Sequence, residues 1–147
     1  MATLDTVRSY LTEEDGLAVV STVQADDTVL SSVVNCGLID HPVTHESRLA
    51  FVSLGGAARL GHIRAGSHVT IAIRRGWNWV AVTGPAELVG PHDNARELDA
   101  EHIRILLRDI YTAAGGHHDD WDTYDQTLRD QARTAVLITP AHIRGNR

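Results

Sequence analysis

A chain of 147 residues is sized for one domain with its own core, able to bury roughly two-thirds of its unfolded surface. Its composition, 43% hydrophobic and 22% charged, is that of a globular protein, and no run approaches the ~18 apolar residues of a membrane span. The formal charge of −6, with thirteen scattered arginines and no lysine, argues against nucleic acid as a partner, because a phosphate groove needs a basic stripe. Cys36 is the single cysteine, which excludes an intrachain disulfide and a thiolate metal cluster. The opening M-A-T-L-D-T-V-R-S-Y-L has an early acid and no apolar stretch, so a cytoplasmic setting is expected.

Leu4, Val7 and Leu11 recur at helical spacing and predict a short amphipathic helix over residues 3–13, opened by Thr3 or Asp5. Two β-branched runs, 17–24 and 29–38, flank Ala25-Asp26-Asp27-Thr28 and read as a hairpin. A polar loop with His41, Pro42 and His45 leads to a third strand, 49–54; Gly55-Gly56 breaks it, and 57–65 allows two helical turns. Residues 69–74 and 77–89 are the fourth and fifth strands, turning at Gly76. Ile103, Leu106, Leu107 and Ile110 mark a helix over about 94–114, and another starts at Asp119 or Asp120. Residues 134–139 form the last strand. Six strands at mostly hairpin spacing, with helices at the edges and no linker or repeat, predict one α+β domain over 1–147 built on an antiparallel barrel.

The segment R-R-G-W-N-W-V-A-V-T-G carries two of the three tryptophans. Strand alternation puts Trp77 and Trp79 on one face and Val80 and Val82 on the other. A narrow barrel has no room for two indoles, so the valines face inward and the tryptophans outward. Covering both rings is worth on the order of 10 kcal/mol at most, so a second subunit, the chain's own helices or a flat ligand is expected over them. Upstream, F-V-S-L-G-G-A-A-R-L-G-H-I-R turns from a strand through two glycines into a helix, a frame in which backbone N–H groups, Arg59 and His62 can meet a phosphate.

These segments, with S-S-V-V-N and the closing H-H-D-D-W-D-T-Y…A-V-L-I-T-P-A-H-I-R-G, resemble the pyridoxamine 5′-phosphate oxidase-like, FMN-binding split barrels across nearly the whole chain. Within them the chain is most similar to the actinobacterial branch that uses the deazaflavin coenzyme F420. The resemblance implies a six-stranded antiparallel split β-barrel with flanking helices, a homodimer, and coenzyme F420, or alternatively FMN, in a groove between subunits. It implies Ser53, Arg59 and His62 near the phosphate, Trp77 and Trp79 near the ring or side chain, and Ser32 and Asn35 at the ring edge. Where the family's phosphate segment often has a second cation two positions before the arginine, this chain has Ala57; Arg64 and Arg75 are candidates to replace it.

The activity so implied is hydride transfer to a small conjugated substrate, which needs positioning and water exclusion rather than a nucleophile. None of Ser21, Ser31, Ser32 and Ser53 has a nucleophile-elbow context. No metal site is expected: Pro42 opposes a helix between His41 and His45, and Asp119 and Asp120 are natural helix caps. A non-catalytic cofactor or haem carrier of the same fold is the competing class. Contacts to the acceptor are expected from the loop over 40–47 and the segment 114–124.

Overall fold

The computed structural model describes residues 1–147. Eight strands form one antiparallel sheet: β1 (Leu17–Val23), β2 (Val29–Asp40), β3 (Ser47–Ser53), β4 (Val69–Arg75), β5 (Asn78–Gly84), β6 (Ala86–Val89), β7 (Thr134–Ile138) and β8 (His142–Gly145). Their order is β6-β7-β3-β2-β1-β4-β5-β8. Only Pro85 separates β5 from β6, yet the two lie seventh and first in that order. In a flat sheet they would stand roughly 29 Å apart, and a one-residue link spans only ~7 Å. The sheet therefore curls until its ends meet. Closure occurs at Gly84, where an added Cβ would stand 1.8 Å from the Thr139 carbonyl oxygen, while Thr139 N–H donates to the Pro85 carbonyl at 2.9 Å.

The sequence predicts six strands, and two physical details make eight. The single predicted strand over 77–89 breaks at Pro85, which cannot donate to a ladder, and its second half leaves β4 to pair with β7. The short β8 adds to the outer edge of β5. Next to it, Asn146 accepts from Trp79 N–H at 2.9 Å and donates to the Trp77 carbonyl at 2.8 Å, holding the β4–β5 hairpin against the chain's end.

Inside the curl, Val20, Ile71, Ile73, Val80, Val82, Phe51 and Val136 form the larger core. It is capped by α1 (Leu4–Glu13) through Val7, Tyr10 and Leu11, and by α2 (Ala58–Arg64) through Leu60 and Ile63. A second core lies on the opposite face of β3 and β7, where Ala50, Ala135 and Leu137 meet Leu106, Leu107 and Ile110 of α3 (Ala100–Ala113) and Tyr124 and Leu128 of α4 (Trp121–Asp130). Being covered on both faces, β7 is buried throughout. The third helix starts at Ala100 rather than near 94, because Asn94 folds back on Leu98 through two hydrogen bonds and Asp99 caps the His102 N–H at 2.8 Å. His41, a loop residue in the sequence reading, is buried: its Nδ1 accepts from Val43 and Thr44 N–H, so Nε2 carries the proton and donates to Glu87 at 2.9 Å.

Candidate functional site

Between the second core and the barrel lies a cleft of about 650 Å³, within the size range of small-molecule sites. Its floor is β2 and β3 (Val33, Val34, Asn35, Val52); its far wall is Ile110 and Tyr111 of α3, Ala114 at that helix's C-cap, and Tyr124 and Leu128 of α4. Arg59 and Arg133 line it as well.

The Arg59 end is built by position rather than by length of side chain. Ser53 closes β3 and Ser32 sits on the barrel-facing side of β2, since each pairs on that face with Thr134 and Val20 respectively. From α2, Arg59 reaches both, donating through one terminal nitrogen to Ser53 Oγ at 3.0 Å and through the other to Ser32 Oγ at 2.9 Å, with its guanidinium 5.6 Å from the Phe51 ring centroid. Ser53 is buried and its own proton goes to the Leu54 carbonyl, so it orients Arg59 instead of offering a donor to a ligand. Ser32 accepts from Arg59 and keeps its proton. Burial, and then the nearby Arg133, hold the Arg59 guanidinium below its ordinary range. No carboxylate pairs with either arginine; Arg133 uses Nε on the Gln131 amide oxygen at 2.8 Å.

Arg133 reaches this cleft because of Gly55. The chain after α4 lies against that glycine, Gly55 N–H donating to the Gln131 carbonyl at 3.2 Å, and a Cβ there would stand 2.5 Å from the Ala132 carbonyl oxygen. The glycine pair thus admits the turn after α4 at Gly55, while Gly56 faces open space. The two arginines that the sequence nominates as a second cation are committed elsewhere: Arg64 to Asp93 and Arg75 to Glu13, with Arg75 also over Tyr10. Arg133 carried no local signal, since its neighbour in space, Gly55, is distant in sequence.

The opposite end is aromatic. Tyr111 and Tyr124 pack at 4.9 Å between centroids, backed by Trp121 and His118, and Arg108 lies 5.1 Å over Trp121. Tyr124 donates to the Leu107 carbonyl at 3.2 Å and its phenol is pushed up to about 12 by burial; Tyr111 donates to the His117 carbonyl at 3.0 Å. Both are walls rather than acid–base groups. The 114–124 segment therefore supplies lining residues, whereas the 40–47 loop supplies none.

Of the residues singled out from sequence, Arg59 and Asn35 line the cleft and Ser32 and Ser53 meet there through Arg59. Asn35 points to the outer face, opposite Leu17, and its amide donates weakly to the Asp15 carbonyl at 3.4 Å. His62 turns away, its Nδ1 2.9 Å from Thr22 Oγ1. Trp77 and Trp79 are also outside this cleft. The first sits at the β4–β5 turn, 96% exposed, and the second on the outer face of β5, 43% exposed. Around Trp79 the sheet presents Leu17, Val19 and Val33, all exposed, in a shallow trough that shares Val33 with the main cleft. Val80 and Val82 face inward and are fully buried.

No protein-family model matches the chain. Among solved structures it is similar to a conserved hypothetical protein of Mycobacterium tuberculosis, at TM-score 0.70 and 12% identity over 99% of this chain and 84% of the other. It is similar to a pyridoxamine 5′-phosphate oxidase-related, FMN binding protein of Nostoc punctiforme, at TM-score 0.63 and 12% identity over 99% and 84%. It also resembles a heme binding protein of Mycobacterium smegmatis, at TM-score 0.61 and 13% identity over 99% of this chain but 54% of that one. At such identities the likeness establishes the fold alone: an α+β arrangement built on a curled antiparallel sheet, as in split barrels. No helix is long and apolar enough to cross a membrane.

Proposed function

We propose that the protein is a cytoplasmic oxidoreductase that holds a phosphate-bearing flavin or deazaflavin, FMN or coenzyme F420, in this cleft at the seam of a homodimer and passes a hydride to a small conjugated substrate. The observation that carries the reading is the polarity of the cleft. One end holds a semi-buried, carboxylate-free arginine fixed by two serines, and the other is an aromatic and aliphatic wall. An elongated ligand with an anionic end and a planar end fits both.

In this reading Arg59 binds the phosphate with its orientation set by Ser53, and the remaining Ser32 proton points to the same anion. Tyr111, Ile110, Val52 and Leu128 exclude water from the planar part. The bound cofactor supplies the hydride chemistry. The side chains supply position: both tyrosine hydroxyls are engaged, and the Cys36 thiol is buried in the core and pushed up to about 12. The homodimer rests on the uncovered outer face. Leu17, Val19, Val33 and Trp79 form an apolar patch next to the cleft mouth, and a second copy laid on it would cover the patch and complete the cleft wall.

The competing reading is a haem carrier. No histidine lines the cleft, and both tyrosine hydroxyls already donate to carbonyls, which leaves an iron without a ready axial ligand there. Titration with FMN, coenzyme F420 and haemin, followed by fluorescence and absorbance, separates these. Saturable flavin or deazaflavin binding, with faster reoxidation of the reduced, bound cofactor on adding a quinone or enone, supports the enzyme. Binding without acceptor-dependent oxidation supports a carrier, haemin binding alone supports the haem reading, and binding of none removes all three.

A further inference from the structure

We propose that Arg133 is the second cation of the anion end, and that together with Arg59 it selects a phosphomonoester over a phosphodiester. The inference deepens the function proposed above and rests on it. Both guanidinium groups line one cleft, both are partly buried, and neither meets a carboxylate. Like charges held together in a partly desolvated place repel, and the arrangement becomes favourable when an anion sits between them. The charge count sets the class. A monoester carries about −1.5 to −2 at neutral pH, which two arginines balance, whereas a diester carries a single charge and leaves one arginine uncompensated.

Other charged groups at the cleft do not upset this balance. Its one lining carboxylate residue, Asp15, meets Asn35 and Gly115 through its backbone carbonyl, beyond the C-terminal end of α3, and forms no ion pair with either arginine. The Arg133 arm is fixed by its surroundings: Gln131 holds Nε, the Gly55 contact fixes the backbone, and both terminal nitrogens remain free to form a fork on phosphate oxygens. Ala132, with φ of +49°, turns the chain at the end of α4, where the Ala132 and Arg133 N–H groups donate to the Arg129 and Leu128 carbonyls.

The test is equilibrium binding by flavin or deazaflavin fluorescence, comparing FMN, riboflavin and coenzyme F420 on the wild type, Arg133→Gln, Arg133→Lys and Arg64→Gln. On the wild type, FMN is expected to bind at least tenfold more tightly than riboflavin and more tightly than coenzyme F420. Arg133→Gln loses about ten- to a hundredfold for FMN, as expected for a hydrogen bond to a charged group, and nothing for riboflavin. Arg133→Lys loses less than Arg133→Gln, and Arg64→Gln, whose arginine is held by Asp93, is unchanged. If Arg133→Gln does not fold, the lysine variant, together with stabilisation of the wild type by inorganic phosphate over equal chloride, reads the same site. Wild-type FMN affinity in the folded Arg133→Gln protein overturns the role of Arg133 while leaving the flavin reading intact. Equal or tighter binding of coenzyme F420 overturns the monoester selection. Failure of all three ligands on the wild type removes the underlying reading as well.

Discussion

The glycine pair at 55–56 offers a paired perturbation in which adjacent residues should respond with opposite sign. In Gly55→Ala the new Cβ would stand 2.5 Å from the Ala132 carbonyl oxygen and 2.7 Å from its Cβ, where ordinary contact begins at 3.4 Å. One backbone must move by nearly an ångström, and neither atom is the end of a flexible side chain. Overpacking of this kind costs about 1–3 kcal/mol, which for a domain of this size is a fall of roughly 2–12 °C in Tm. Gly56→Ala meets nothing within 4 Å, and its φ lies outside the left-handed region. There the substitution only narrows the unfolded ensemble and stabilises by about 0.4–1 kcal/mol. Thermal and urea unfolding of the two variants, with FMN titration of each, is the assay. Gly55→Ala is expected to lose stability and FMN affinity together, because the displaced segment carries Arg133; Gly56→Ala keeps both. If the two variants shift alike, or if Gly55→Ala is neutral, the packing of the 131–133 segment on Gly55 is wrong, and so is the delivery of Arg133.

Trp79 is 43% exposed, leaving roughly 100 Å² of indole to cover, worth about 2 kcal/mol per protomer. For the homodimer proposed above, Trp79→Ser should shift the protein toward monomer in sedimentation velocity with little change in the monomer's urea midpoint; a wild type that is monomeric, or a variant as dimeric as the wild type, refutes that use of the face. Cys36, buried with its thiol pushed up to about 12, should be inert to a thiol-specific disulfide reagent in the native protein at mildly alkaline pH and react fully in urea. Arg108 holds the Asp125 carboxyl below its ordinary value of 3.8. Because the folded pKa is depressed, that stabilisation is complete above 3.8 and lost as pH falls through the folded value. The stability gap between wild type and Asp125→Asn, measured by urea unfolding, should be present at neutral pH and close in strong acid.

The sequence by itself determined the local elements and the sides they turn to the core. Alternation placed Val80 and Val82 inside and Trp79 outside, the spacing of Leu4, Val7 and Leu11 predicted the first helix, and Asp119 and Asp120 marked the start of the last one, which Asp120 caps. These are signals of period and local hydrogen bonding, carried by residues a few positions apart. Through a resemblance spread over the chain it grouped Ser53 with Arg59 and assigned Ser32 to the ring edge, whereas in the structure Arg59 reaches both serines. Only the tertiary structure decided that the strand over 77–89 divides at Pro85 to close the curl, that His62 turns to Thr22 and not to the cleft, and that Arg133 rather than Arg64 or Arg75 joins Arg59. The physical reason is common to all three: each depends on which distant segment arrives beside a residue once the sheet has curled. A missing Cβ, as at Gly84 and Gly55, looks in sequence like any turn until the neighbour that occupies its space is known.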